Sequence, residues 1–383
     1  MSNYTGIDFI GTNVGSGSKT YNINFCNELN SLQLKNKIKI FICKNYYSQI
    51  NKEIKKNKNI KFILKPNFLS ISFIRILWIQ FILPFELKYF GIKKLYSPLN
   101  FCPILAQFFS IKVVLCCHSN LPWVYFNLMP GNLIRNFFVK KLMEYSIFSC
   151  NVLIVNSFYA KREIIKILKL KKNKIKVVYL GIGKRNVRLD NNSFLLIKNF
   201  RYKDRYILSI ISCVRYHNII NILKAYKHLI DEIKFSISLV LVMQILDKKY
   251  FNEVKNYIRN NFQDNKIIIL NNLKREQLAN LYKNAKTYVF SSYCEVFGLT
   301  TLEAMLHKVP VVVSNRSALP EINSNAALYF DPDQITQIKN KLKKILLSKI
   351  LRQNLVRKGS RNLKRFSLNE SVKKTIKIID QIS

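Results

Sequence analysis

Short runs rich in Val, Ile and Leu alternate with longer amphipathic stretches along most of this 383-residue chain. A β-run that is apolar at nearly every position has both faces buried. Helices between such runs are the usual way to cover both. In the first half the pattern predicts strands over Ile7–Gly11, Ile38–Cys43, Lys94–Ser97, Lys112–Cys117, Val152–Asn156 and Lys176–Tyr179, with helices over Lys19–Leu32, Leu69–Leu83 and Ser157–Leu168. A polar stretch from about Lys184 to Arg205 then reads as a linker.

The alternation restarts after it. Strands are expected over Tyr206–Ser212, Ser238–Val242, Lys266–Leu270, Thr287–Ser291, Val309–Ser314 and Ala327–Phe330. Helices are expected near Ile219–Ile230, Lys248–Asn261, Arg275–Lys283, Leu299–His307 and Ile335–Leu346, with a last one over Leu368–Ile382. The expected fold class is therefore α/β. Two doubly wound Rossmann-like domains, 1–187 and 188–365, face each other across a cleft that serves as the ligand site. The tail 366–383 is expected to be a helix that packs back toward the N-terminal domain.

Lys and Arg number 63 against 21 Asp and Glu, a formal net charge of +42. The excess is spread evenly and travels with Asn and Ile, as in 171–176, so compositional bias accounts for much of it. The remainder suits anionic lipid or phosphorylated substrates. There is no basic tail and no DNA- or RNA-binding signature, so nucleic acid is not an expected partner. The 8 Cys form no C-x-x-C pair and sit mostly in apolar runs, which suits a reducing compartment. The first residues lack the basic and apolar regions of a signal peptide. A cytoplasmic setting is expected, with peripheral attachment to the inner face of the plasma membrane.

Phe68 to Leu87 is the most apolar window. Arg75 interrupts it, and Pro84 and Glu86 break its end, so it is short for a bilayer span. A buried core helix is the favoured reading. A helix lying in a membrane interface is the alternative.

The richest stretch for chemistry runs from Ser291 to Met305. Glu295 lies in a loop after a strand, and Glu303 lies one turn into the following helix. Between them the amides of Phe297, Gly298, Leu299 and Thr300 open the helix. Unpaired N–H groups at a helix start bind phosphate without a metal. Two carboxylates beside an anion site suit hydroxyl groups of a sugar and a ribose.

Here the sequence resembles the family 4 glycosyltransferases of the GT-B fold. The family phrase E-G-F-G-L-x-x-x-E-A-M reads Glu295-Val296-Phe297-Gly298-Leu299-Thr300-Thr301-Leu302-Glu303-Ala304-Met305. It is followed by Val309-Pro310-Val311-Val312 and by Ser317-Ala318-Leu319-Pro320-Glu321, and preceded by Leu281-Tyr282-Lys283-Asn284-Ala285. The resemblance implies a nucleotide-diphosphate sugar as donor substrate, with no separate cofactor. It implies that Glu295 contacts the donor sugar near its anomeric centre, that Glu303 accepts from the ribose, and that 297–300 hold the diphosphate. Val296 replaces the family's usual Gly.

The first half agrees more loosely. Gly15 and Gly17 belong to a Gly-rich loop, 11–18, that lets backbone approach a phosphate or sugar. The loop fits neither the Walker nor the dinucleotide fingerprint. His118 ends a strand where the resemblance implies a His touching the donor sugar.

One departure concerns the leaving group. Ser212 stands where the family has an Arg and His217 where it has a Lys, while Arg215 is displaced by three positions. The expectation is that Arg215 and His217 restore the positive charge. Asp331-Pro332-Asp333 reads as a turn, and no His/Cys cluster has zinc spacing, so no metal is expected. The implied activity is a metal-independent, retaining hexosyl transfer to a lipid-linked or saccharide acceptor in surface polysaccharide or lipopolysaccharide assembly. The residues leave open a nucleotide-sugar epimerase on the same fold, and a non-enzymatic basic binder of nucleic acid or membrane.

Overall fold

Two parallel sheets organise the chain. A computed structural model describes residues 4–10, 17–29, 32, 36–55, 57–183, 206–233, 235–262 and 266–382. The linker read over 184–205 and most of the Gly-rich loop, with Gly15, lie outside them; Gly17 is the first residue of the helix Gly17–Leu29.

In the first half the strands are β1 (Tyr4–Asp8), β2 (Lys37–Cys43), β3 (Ile60–Lys65), β4 (Ile92–Ser97), β5 (Lys112–Cys117), β6 (Val152–Val155) and β7 (Ile175–Val177). They form a seven-stranded sheet in the order β3-β2-β1-β4-β5-β6-β7. In the second half they are β8 (Tyr206–Cys213), β9 (Ser238–Ile245), β10 (Ile267–Leu270), β11 (Ala285–Phe290), β12 (Val311–Ser314) and β13 (Ala327–Phe330). These form a six-stranded sheet in the order β10-β9-β8-β11-β12-β13. All the pairings are parallel.

Near-continuous Val and Ile make this possible. Ile7, Ile40, Val114, Leu208, Val240 and Val312 are fully buried, each in a strand covered on both faces. In each sheet the winding direction reverses once, between β1 and β4 and between β8 and β11. In open parallel sheets such a reversal leaves a crevice at the carboxyl ends of the two strands, where ligands bind.

By its contacts the chain divides into two units. One holds 1–120, 137–183 and 366–383; the other holds 121–136 and 184–365. In this division 121–136 is grouped with the second half. Its Tyr125 ring lies 6.0 Å from that of Tyr293. The helix Leu368–Gln381 belongs to the first unit, where Leu368, Val372 and Ile379 share a core with Ile7, Phe25 and Val114. Its entry is tight. A Cβ on Gly181 would lie 2.1 Å from the Leu368 Cα, so only glycine lets the two segments pass.

The apolar window Phe68–Leu87 is also corrected. It is not a helix sunk in the core. Trp78, Ile79, Leu83 and Leu87 are buried, while Phe73, Leu77, Phe81 and Phe85 are exposed. Leu133–Ser149 and Lys349–Asn362 are the longest helices that escaped the sequence reading; shorter ones such as Lys44–Ile50, and the edge strand β3, did so too. All eight cysteines are free thiols and buried.

Candidate active site

The second unit assembles its polar groups at the reversal between β8 and β11. β8 ends at Cys213, and a short 3-10 turn, Arg215–His217, follows it. Asn218 takes up a left-handed backbone and starts the helix Ile219–Glu232. Its side chain donates to the Pro332 carbonyl at 2.8 Å. Ser291, just past β11, donates to the His217 and Asn218 carbonyls at 2.7 and 3.0 Å. These bonds fix the turn against the loop that carries Glu295.

Within that frame His217 is 6 % exposed and held at both nitrogens. Nδ1 lies 2.7 Å from the Ser212 carbonyl oxygen, and Nε2 lies 3.1 Å from Glu295 Oε1. The Tyr216 and Phe290 rings pack on it at 4.4 and 5.5 Å. A carbonyl oxygen only accepts, so Nδ1 carries a hydrogen. The second contact sets the other ring nitrogen against a carboxylate oxygen.

Arg215 is placed differently. Its guanidinium pairs with Glu253 and lies 5.3 Å over the Tyr250 ring. Among the described residues it is His217, and not Arg215, that meets Glu295.

Gly298 begins the next helix, Leu299–Leu306, from a left-handed conformation with φ 87°. A Cβ there would lie 2.7 Å from Leu319 Cδ2. The Thr301 amide and hydroxyl both turn back to the Gly298 carbonyl, at 3.1 and 2.8 Å. The two amides before it, of Leu299 and Thr300, precede any intrahelical donor and form the open start. Phe297 is buried at 2 % exposure and anchors the loop. The Glu295 carbonyl accepts from the Ala318 amide at 3.1 Å, and Ser317 donates to the Tyr293 carbonyl at 2.6 Å. So the Ser317–Glu321 phrase holds the loop in place.

Glu303 has a partner that the sequence did not single out. The hydroxyl of buried Tyr282 lies 3.3 Å from Glu303 Oε2 and 3.2 Å from the Thr300 carbonyl. It ties the carboxylate to the first turn of its own helix. The phrase Leu281–Ala285 contained that residue, but not its role. A second network was missed altogether. Arg316 donates to Asp331 at 2.9 and 3.0 Å and to Asp333 at 3.3 Å, and Tyr293 donates to Asp333 at 2.6 Å. The D-x-D triplet is thus occupied by an arginine and a tyrosine.

In the first unit His118 follows β5, and its amide donates to Asn100 Oδ1 at 2.6 Å. Burial lowers its pKa, against Asn156 and the Pro98 carbonyl, which pull it up. A neutral ring at that position donates or accepts a hydrogen bond without bringing charge. At the other reversal Asp8 closes β1, 2 % exposed, accepting from the Ile10 amide at 2.8 Å. Burial pushes its carboxyl up to about 7, although that bond and the Arg75 charge pull it down. The sequence reading passed over it, because an Asp at the end of a strand is commonplace before the burial is known.

Residues 15–183 match the family described as Glycosyltransferase Family 4, and residues 195–362 match Glycosyl transferases group 1. Among curated proteins, the O-antigen chain mannosyltransferase RfbU of Salmonella typhimurium is 26 % identical over 256 residues, 67 % of this chain and 66 % of that protein. The O-antigen chain mannosyltransferase B of Escherichia coli is 38 % identical over 101 residues, 26 % of each chain. The chain thus spans just under two thirds of the first of these relatives and about a quarter of the second. Among solved structures, a glycosyltransferase from Rickettsia africae superposes with TM-score 0.71 at 18 % identity, covering 100 % of both chains. HepE of Anabaena in complex with UDP-glucose superposes with TM-score 0.73 at 12 % identity, also covering 100 % of both. These two likenesses establish the fold.

Proposed function

Because this chain belongs to the family 4 glycosyltransferases of the GT-B fold, we propose that it moves a hexose from a nucleotide-diphosphate donor to a lipid-linked or saccharide acceptor. The relatives' names make mannose the first sugar to test and surface polysaccharide the setting. The observation that carries the reading is the His217–Glu295 pair beside the open helix start at Leu299.

Each group has a task in that reaction. The Leu299 and Thr300 amides and the positive helix end receive the diphosphate. His217 supplies positive charge as the leaving group gains negative charge, in the place of the family's lysine. A donor aimed at developing charge is worth ~3 kcal/mol in the transition state. Glu295 keeps Oε1 on His217 and offers Oε2 to a sugar hydroxyl. Glu303, steadied by Tyr282, accepts from the ribose. The acceptor hydroxyl attacks on the face the diphosphate leaves, so the anomeric configuration is kept. The diphosphate charge is met by protein groups, so we propose that turnover needs no divalent ion. The enzyme works at the cytoplasmic face of the membrane, on which it rests peripherally.

A thermal-shift panel of nucleoside diphosphates and their sugars tests the donor, and proton NMR of the product tests the anomer. Glu303→Ala is expected to abolish the shift, and Glu295→Ala to lower turnover more than nucleotide binding. Sugar interconverted without an acceptor would assign an epimerase instead.

A further inference from the structure

The first unit exposes aromatic side chains in an ordered way. In the helical run from Ser72 to Tyr89, a π turn over Trp78–Ile82 separates two α-helical pieces. Phe73, Leu77, Phe81, Phe85 and Tyr89 follow at i,i+4 spacing, and all are exposed, Phe73 at 70 % and Tyr89 at 84 %. In a regular α-helix each such step advances roughly 40° round the axis, so five residues would wind off one face. A π turn winds more slowly and takes back part of that drift. The ladder therefore keeps to one side.

From Phe137 onward the helix Leu133–Ser149 also exposes rings, within the same unit. Phe137, Phe138, Tyr145 and Phe148 are all more than half exposed, while Met143, Ser146 and Ile147 turn inward. The stretch between the two helices ties them together. Gln80 Nε2 donates to the Cys102 carbonyl at 3.0 Å, the Cys102 amide donates to Ser146 Oγ at 3.3 Å, and the Phe85 and Phe109 rings pack at 4.9 Å.

Positive charge borders these rings. Lys174 donates to the Phe148 carbonyl at 2.8 Å. With Lys169, Lys171 and Asn173 it lines an open cavity of about 360 Å³. The two carboxylates on the aromatic helices are already paired, Glu86 with Lys65 and Glu144 with Lys141.

Ordered apolar surface of this extent marks a binding face. The core of a protein–protein interface is depleted of lysine. Aromatic rings beside lysines instead match the headgroup level of an anionic bilayer. We infer that this face docks in the plane of an anionic membrane, with the rings of both helices among the headgroups and the Lys169–Lys174 cavity on lipid phosphates. The net charge of +42 draws the chain toward such a surface. The inference names the residues of the membrane contact proposed above and rests on that reading.

Co-sedimentation of the full chain with vesicles tests it, comparing phosphatidylcholine alone with phosphatidylcholine containing phosphatidylglycerol. The wild type is expected on the anionic vesicles and to leave them as salt rises. The triple variants Phe137→Ser/Phe138→Ser/Phe148→Ser and Lys169→Glu/Lys171→Glu/Lys174→Glu are each expected to bind about tenfold less. Phe81→Ser/Phe85→Ser, on the other helix, gives an independent second loss. All should keep the wild-type melting midpoint and its shift by donor, which separates lost docking from lost folding. A wild type that ignores anionic vesicles at low salt overturns the inference, as does equal binding by folded variants. Self-association abolished by the serine variants, with no vesicle binding, would assign the face to a second copy of the chain. Vesicle binding without any donor-induced shift would keep the docking face and overturn the transferase.

Discussion

Glu295 Oε1 lies 3.1 Å from His217 Nε2, although 78 positions separate the two residues. The Ser212 carbonyl holds the other ring nitrogen at 2.7 Å. The pair is built at the point where the second sheet reverses its winding. His217→Gln offers an amide in its place but no charge. Turnover should fall about a hundredfold with little change in donor KM, because the missing charge matters as the leaving group forms. His217→Lys should recover part of that loss. Steady-state kinetics on both variants check it, and an unchanged kcat in the Gln variant would remove His217 from the chemistry.

Tyr282→Phe deletes only the hydroxyl shared by Glu303 and the Thr300 carbonyl. The expected cost is about 1 kcal/mol of stability. Nucleotide affinity should also weaken several-fold, with kcat less affected. Calorimetric titration of the bare nucleoside diphosphate reads the binding directly.

Gly298→Ala forces a side chain into a left-handed backbone and against Leu319 Cδ2. A loss of at least ~1 kcal/mol of stability is expected, together with loss of the diphosphate site. Adding Leu319→Ala relieves the clash but not the backbone strain, so it should restore donor binding only in part. Full restoration would show that the left-handed turn is dispensable.

Asp8 supplies a pH signature. Its carboxyl is raised to about 7 in the folded chain, above the ordinary value of 3.8. Between those values the folded state holds the proton more tightly than the unfolded state. Stability should therefore fall as pH rises from about 4 to about 7 and then level off, as far as this residue contributes. Asp8→Asn should flatten that part of the profile and melt higher than the wild type at pH 8. Denaturant unfolding across this range checks the sign.

The strand, loop and helix start that carry Glu295 and Glu303 were legible because they follow in order in one continuous phrase. The pairing of His217 with Glu295 was not, because it depends on two strands that are neighbours in the sheet and remote in sequence. Arg215 shows the same limit from the other side. A nearby arginine looked available to the diphosphate until helix Lys248–Asn261 brought Glu253 to it. The aromatic helices were misread for a different reason. Burial in a core and exposure at an interface favour the same residues, so Phe81 and Trp78 read alike although one is exposed and the other buried. In Leu133–Ser149 the buried face carries Asn136 and Ser146 while the outer face carries phenylalanines, which erases the contrast that marks an ordinary surface helix.

After a first excursion at 121–136, the chain leaves its first unit again at 184 and returns to it at 366, once the whole of the second has been made. Leu368, Val372 and Ile379 then complete a core begun by Ile7 and Phe25. On the ribosome the earlier unit must wait, its pocket unfilled, while the later one can close first. A frameshift or nick near 365 would therefore injure the unit that most of the chain before 184 belongs to, and neither unit is one uninterrupted fragment.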